Sequence, residues 1–328
     1  MALPMRAVVR DEYGSPEVLR LEEVPRPIPR DDELLIRVHA ASVNKGDTEI
    51  LRGDPLWVRM VGFGLIKPKI RILGTNLAGR IEAVGAHVTR FEPGDEVFGD
   101  ILQCGLGAFA EYVCIPESAA IVRKPPRLSF QEAASLPEAG FIALQGLRDK
   151  GQLKPGQRVL INGAGGGAGS FAIQLAKAYG AEVTGVDSTE KQDWMRSLGA
   201  DHVVDYTRED FSRRETRYDV ILDVVGARSV FTWKRALASG GIYAAAGGSV
   251  AQISQTLLLG AMVSWASSKS LGMLAVQPNQ DDLHAMVELI ETGRVKPTIE
   301  RRYPLEETAD AIRYVGAGRA KGRVVVTI

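Results

Sequence analysis

Cysteine is scarce in this 328-residue chain: only Cys104 and Cys114 occur. That excludes a disulfide framework and a four-thiolate zinc site. Histidine is nearly as rare, and His39, His87, His202 and His284 are scattered without the spacing of metal ligands. Neither sign of charge is in excess, since 40 Lys and Arg balance 40 Asp and Glu. This removes the electrostatic basis for non-specific binding to nucleic acid or an anionic membrane. Long apolar runs are missing too. The most apolar stretch, 255–276, is broken by serines and by Lys269, whereas a spanning helix needs about 20 mostly apolar residues. Charges at Arg6 and Arg10 come too early for the apolar core of a secretory signal. A cytoplasmic protein is expected, with no membrane and no nucleic-acid partner.

Glycine, by contrast, is abundant at 35 residues, which implies many tight turns or close backbone approaches. Up to about residue 125 the chain reads as short strands broken by turns, with Met5–Val9, Leu34–Ala41 and Ala78–Val84 as candidates. Arg123-Lys-Pro-Pro-Arg127 marks a boundary, and a helical pattern begins at Ser129. From Gly156 the rhythm becomes strand, helix, strand, helix. Strands are expected at Arg158–Asn162, Glu182–Val186, Tyr218–Val225 and Gly241–Ala246, with helices near Ser170–Tyr179 and Lys191–Ser197. Such alternation predicts an α/β domain with a doubly wound parallel sheet. Near the end, Leu283, Met286, Val287 and Ile290 form one face of a helix over 281–292, and Arg323–Ile328 reads as a closing strand.

The chemistry is concentrated in Gly163-Ala164-Gly165-Gly166-Gly167-Ala168-Gly169, which joins a predicted strand to a predicted helix. Glycines suit that position because the backbone turns tightly and a pyrophosphate can approach the free N–H groups at the helix start. Asp187 closes the next strand, where an acidic side chain would bind the adenine-side ribose diol. Motif and context together point to dinucleotide binding rather than to an empty glycine-rich turn.

The chain resembles the zinc-independent quinone oxidoreductase and enone reductase branch of the medium-chain dehydrogenase/reductase superfamily. The resemblance runs through Ala41-Ser-Val-Asn44-Lys-Gly-Asp47, Leu73-Gly-Thr-Asn-Leu-Ala-Gly79, Pro93-Gly-Asp-Glu-Val97, Gly107-Ala-Phe-Ala-Glu-Tyr112 and Ser197-Leu-Gly-Ala-Asp201-His-Val-Val-Asp-Tyr206. It implies a Rossmann domain at 126–265 inserted into a GroES-like β-rich catalytic domain made of 1–125 and 266–328. In zinc-dependent relatives a cysteine stands at the place of Asn44, and a Gly-His-Glu run at Gly74-Thr75-Asn76. Asn44 and Thr75 do not replace thiolate and imidazole ligands, so no zinc is expected. Without a Lewis acid, a conjugated carbonyl or a quinone is an easier hydride acceptor than a simple carbonyl.

The resemblance places Asn44 beside the nicotinamide. There it either hydrogen-bonds a substrate carbonyl or the cofactor, or only ties down a loop. Lys45 is either a pyrophosphate contact or a surface lysine, and Asp47 orients the same loop. Lys191 and Tyr206 match positions where NADPH-using relatives clamp the 2′-phosphate, and Ser188 adds a hydroxyl. Asp187 argues the other way, toward NADH; the balance tips to NADPH. Val225 and Gly247 sit at strand ends expected to flank the nicotinamide. Trp57, Met60, Val61, Phe63 and Ile66 either line an apolar substrate pocket or close the β-domain as a local cluster. The segment 257–276 is expected to be a buried strand through which a homodimer forms. The expected activity is NAD(P)H-dependent reduction of enones, enals or quinones, small molecules in each case. A zinc-free alcohol dehydrogenase or carbonyl reductase is the enzymatic rival. A non-catalytic dinucleotide-binding redox sensor or structural subunit is the rival of another class.

Overall fold

The computed structural model describes residues 3–328 apart from Trp57 and Ala266, and leaves aside the side chains of 61 and 62. The chain forms two compact units: 1–138 with 278–287 and 297–328, and 139–277 with 288–296.

The first unit begins with an antiparallel pair, β1 (Pro4–Val9) and β2 (Arg20–Pro25). Its main sheet starts with β3 (Glu33–Val43), the longest of its strands, whose alternating face gives way to continuous burial from Ala40. One edge of β3 carries β4 (Asn76–Val84), and the other carries β6 (Tyr112–Pro116) over its first half. β5 (Glu96–Asp100) and β7 (Ala120–Arg123) extend the sheet from β4. Between β3 and β4, the residues expected to be a loop form helix α1 (Lys45–Arg52). Asn44 precedes it in an extended conformation, and the Asp47 carboxylate accepts from the Asn44 N–H at 2.8 Å, satisfying a donor the helix leaves free. Gly53 ends it at φ 60. The short α2 (Phe130–Ala134) is capped by Ser129, whose hydroxyl accepts from Glu132 N–H.

After α3 (Pro137–Leu144) the second unit is a parallel sheet of six strands among the described residues. In chain order these are β8 (Arg158–Asn162), β9 (Glu182–Asp187), β10 (His202–Asp205), β11 (Tyr218–Asp223), β12 (Leu237–Ala245) and β13 (Ser270–Met273). Their spatial order is β10-β9-β8-β11-β12-β13. The chain therefore moves outward from β8 to one edge, returns to the other side of β8, and moves outward again. This is the doubly wound pattern, with its switch point between β8 and β11. Helices α4 (Gly167–Ala178), α5 (Gln192–Ser197), α6 (Val230–Ala236) and α7 (Val250–Trp265) accompany the strands. The core is dominated by Trp233, which stacks on Phe211 and on Tyr243.

Two expectations change here. Residues 250–265 form helix α7 rather than a buried strand; only Ser270–Met273 pair, as the edge strand β13. The unbroken run 257–263 gives that stretch no period to read, and the helix packs on β13 with Gly260 close to Leu271 O, where a Cβ would come to 2.9 Å. The unit boundaries also move, from 125 and 265 to 138/139 and 277/278. β13 is bound to the second unit by its ladder with β12, and α2 packs on β3, β4 and β5.

The tail returns to the first unit. After α8 (Gln280–Glu291), β14 (Ile299–Pro304) pairs with the closing strand β15 (Arg323–Thr327), and α9 (Thr308–Gly316) lies between them in sequence. β15 completes the second edge of β3, aligning Val324 with Val43. Arg323, the first residue of this closing strand, thus lies beside Asn44, while Ile328 N–H reaches His39 O. No described helix is long and apolar enough to cross a membrane.

Candidate functional site

In the second unit, β8 runs into a turn whose first glycine, Gly163, has φ +82, a region closed to most side chains. The N–H groups of Gly163 and Ala164 both reach Val186 O on β9, and Gly166 N–H turns back to Gly163 O. Helix α4 then starts with no side-chain cap. The first N–H within it to find a partner among the described residues is that of Ser170, on Gly166 O. The N–H groups of Gly167, Ala168 and Gly169 are left open at the positive end of a twelve-residue helix, the arrangement that receives a phosphate. A Cβ on Gly169 would lie 2.2 Å from Gly163 O and 2.5 Å from Ala164 Cα. The turn therefore closes on the helix at a distance only glycine allows. These features fit a dinucleotide.

Asp187 ends β9 and is nearly buried, at 8% exposed. Its Oδ2 accepts from Gly165 N–H at 3.0 Å and its Oδ1 from Ser188 N–H at 2.9 Å. Lys191 Nζ lies 3.5 Å from Oδ1, and its stem packs against Gly165. The acid and the base that argued for opposite cofactors are thus partners of each other. Tyr206 is half exposed and its N–H reaches Asp187 O, while Ser188 caps the turn leading to Lys191. At the neighbouring strand ends, Val225 is 39% exposed. Its N–H donates to Asp223 Oδ1 at 3.0 Å. Gly247 has nothing closer to a built Cβ than Val224 O, at 4.0 Å.

The first unit holds a buried polar cluster around Asn44. Arg323 of β15 donates to Asn44 Oδ1 at 2.5 Å and to Ser42 Oγ at 2.6 Å. Because a guanidinium only donates, this contact fixes the orientation of the Asn44 amide. Its Nδ2 donates to Thr75 Oγ1 at 2.7 Å and to Asn76 Oδ1 at 3.2 Å. Both amide hydrogens are therefore engaged within the protein, and Asn44 is only 2% exposed. The amide retains no hydrogen for a substrate carbonyl; its unused capacity is the second lone pair on Oδ1. Asn76 Nδ2 continues the chain to Asp100 Oδ2 at 2.6 Å, and Glu138 N–H reaches Asn76 Oδ1.

Burial pushes the carboxyls of this cluster up. Glu138 rises to about 8 and Asp47 to about 7, each opposed by the Arg323 charge. Asp100 rises to about 6, opposed by hydrogen bonds from Leu102 N–H and Asn76. Arg323 and Glu138 were not singled out from the sequence. The one available signal was an arginine opening the apolar run Arg323-Val-Val-Val, since a charge in a buried strand requires partners. Lys45 sits exposed at the first position of α1. Phe63 packs half-buried against the core of this unit, and Tyr13 Oη donates to its carbonyl at 2.7 Å. Met60 and Ile66 are exposed. Trp57 lies outside the described residues. Among those residues no group of three or more His, Cys, Asp or Glu side chains is placed to hold a metal ion.

Two family profiles match the chain: "Alcohol dehydrogenase GroES-like domain" over 30–126 and "Zinc-binding dehydrogenase" over 198–326. Among curated proteins, the 2-methylene-furan-3-one reductase of Solanum lycopersicum is 34% identical, across 98% of this chain and 79% of its own. The NADPH-dependent alkenal/one oxidoreductase of Arabidopsis thaliana chloroplasts is 32% identical over 98% and 79%. Among solved structures, the quinone oxidoreductase from Coxiella burnetii superposes with a TM-score of 0.88 at 29% identity, covering 99% of this chain and all of that one.

Proposed function

Since the chain belongs to the medium-chain dehydrogenase/reductase superfamily, we propose that it is an NAD(P)H-dependent reductase of α,β-unsaturated carbonyls or quinones. The observation that carries this reading is the glycine turn at α4, whose open N–H groups and close-packed Gly169 suit a pyrophosphate. The substrate class is supported by relatives named for 2-methylene-furan-3-one, alkenal/one and quinone reduction. Zinc independence is supported by the donor set itself. A buried guanidinium and a fully engaged asparagine amide do not suit a divalent cation.

The nicotinamide supplies the hydride when bound. The chain's part is to bind and orient. The start of α4 holds the phosphates, and Asp187 and Lys191 meet the adenine-side ribose. The Val225 and Gly247 strand ends border the crevice beyond the sheet's carboxyl edge. Incubating the protein with a conjugated enone and either NADPH or NADH tests the function. The saturated ketone is expected, whereas an allylic alcohol would transfer the assignment to carbonyl reduction.

NADPH is the favoured cofactor. Lys191 offsets the Asp187 charge, so the carboxylate repels a 2′-phosphate less than its position implies. Replacing Asp187 by Ala removes the carboxylate's repulsion of a 2′-phosphate and an acceptor for the ribose hydroxyls. A charge-assisted hydrogen bond contributes about 1.5–3 kcal/mol. The ratio of kcat/KM for NADPH over NADH is therefore expected to rise at least about tenfold. A ratio unchanged in steady-state assays would place 2′-phosphate selection elsewhere.

A cytoplasmic homodimer completes the proposal. Leu257, Leu258, Met262 and Trp265 stand exposed on α7 beside the sheet's edge strand β13, and a second copy would cover both. Leu258→Lys with Met262→Lys is expected to shift the protein to monomer in light scattering. A dimer persisting at micromolar concentration would move the interface away from α7.

A further inference from the structure

Asp223 closes β11 at the switch point of the parallel sheet. It is fully buried, and no cation among the described residues is paired with it. Four donors converge on its carboxylate instead. Oδ1 accepts from Asn162 Nδ2 at 2.8 Å, from Val225 N–H at 3.0 Å and from Gly226 N–H at 2.9 Å. Oδ2 accepts from Tyr243 Oη at 2.9 Å. Burial, and then the Asp223 charge itself, push the Tyr243 phenol far above its ordinary range, so it remains a donor.

Asn162 and Asp223 are register partners on β8 and β11, and Tyr243 comes from β12. One carboxylate thus laces the ends of three adjacent strands. Beyond them, the Val224–Gly226 backbone is wedged from two sides. A Cβ on Gly163 would lie 2.7 Å from Cγ2 of both Val224 and Val225. Gly226, at φ +63, would place a Cβ 2.3 Å from Gly247 O. A buried carboxylate costs several kcal/mol unless it is fully hydrogen-bonded, and a neutral side chain could have capped a turn alone. What the carboxylate adds is a rigid hold on two successive N–H groups where ligands bind in such sheets.

We propose that Asp223 is a positioning residue for the nicotinamide end of the dinucleotide, holding the Val224–Gly226 backbone against the glycine turn through its contacts with Asn162 and Tyr243. This rests on the dinucleotide reading above. The hold acts on the half of the crevice away from Asp187 and Lys191, so its loss separates the two ends of the cofactor.

Calorimetric titration of Asp223→Asn and Tyr243→Phe tests the assignment, using two ligands: NADPH, and the 2′-phospho-ADP-ribose fragment that lacks nicotinamide. For Asp223→Asn, fragment affinity is expected to stay within about twofold of wild type while NADPH binds at least about tenfold more weakly. Tyr243→Phe, which removes one donor of the four, is expected to weaken NADPH alone by about threefold. It carries the test if Asp223→Asn does not fold. Parallel weakening of both ligands would mark Asp223 as a purely structural cap, and unchanged NADPH binding would leave it no role at the site. If the wild-type protein binds neither ligand, the same pair of titrations is run with NADH and ADP-ribose; a wild-type protein that binds none of the four overturns the oxidoreductase reading, and this assignment falls with it.

Discussion

Gly169→Ala is expected to raise the dissociation constant for the dinucleotide at least about a hundredfold, roughly 2.8 kcal/mol at 1.4 kcal/mol per decade. The added Cβ would stand 2.2 Å from Gly163 O, 2.5 Å from Ala164 Cα and 2.7 Å from Ala164 C. All three are backbone atoms, so no side chain can swing aside; either α4 lifts away from the turn or the turn opens. Both movements separate the open N–H groups of Gly167, Ala168 and Gly169 from the position where they converge on one phosphate. Overpacking of this kind also costs about 1–3 kcal/mol of stability, which calorimetry reads separately. Gly166→Ala is the control, because its Cβ meets nothing closer than Gly163 O at 3.5 Å, an ordinary contact. Its melting temperature is expected to match wild type. Binding by Gly169→Ala within threefold of wild type would show that the turn has slack these distances deny.

The sequence made the turn legible because everything that builds it is local. Strand β8, the glycines and α4 are contiguous, and each residue type states its backbone requirement directly. The Asn44–Asp47 spacing is that of a helix cap, yet these residues read as a loop, and the helix α1 that they open was not anticipated. Asn44's own role was not legible. The amide's two hydrogens are taken by Thr75 and Asn76, and its oxygen by Arg323 at the far end of the chain. No local pattern states that β15 will lie against β3. The Asp187–Lys191 pair shows the intermediate case. Both residues were identified, but as opponents; only the turn after β9, which brings Nζ to 3.5 Å from Oδ1, makes them partners. Helix α7 is not legible locally, because the unbroken apolar run 257–263 satisfies a strand and a helix equally. The packing of the helix on β13, with Gly260 against Leu271, is tertiary.

Arg323→Met is expected to cost about 2–4 kcal/mol, since it leaves two buried acceptors, Ser42 Oγ and Asn44 Oδ1, without their charged donor at about 1–3 kcal/mol each. For a chain of this size that corresponds to a fall in melting temperature of roughly 3–6 °C. Arg323 is 5% exposed and holds Ser42 and Asn44 directly. It is also the cation that opposes the effect of burial on Asp47 and Glu138. Those carboxyls make the stability of the wild-type protein depend on pH in a definite direction. With Asp100 they titrate at about 6, 7 and 8 when folded, but near about 4 in an unfolded chain. Between these limits the folded state binds more protons than the unfolded one. The stabilisation is therefore complete below about pH 4 and is lost as pH rises through 6 to 8. In Arg323→Met, with the opposing cation gone, Asp47 and Glu138 are expected to hold their protons to higher pH, displacing their part of the decline upward. Arg323→Lys restores the charge without the forked geometry and is expected to recover the position of the pH window more fully than the melting temperature. Thermal unfolding from pH 5 to 9 measures all three proteins. Wild-type stability that climbs across pH 6 to 8, or an Arg323→Met variant as stable as its parent, would remove Arg323 from the centre of this cluster.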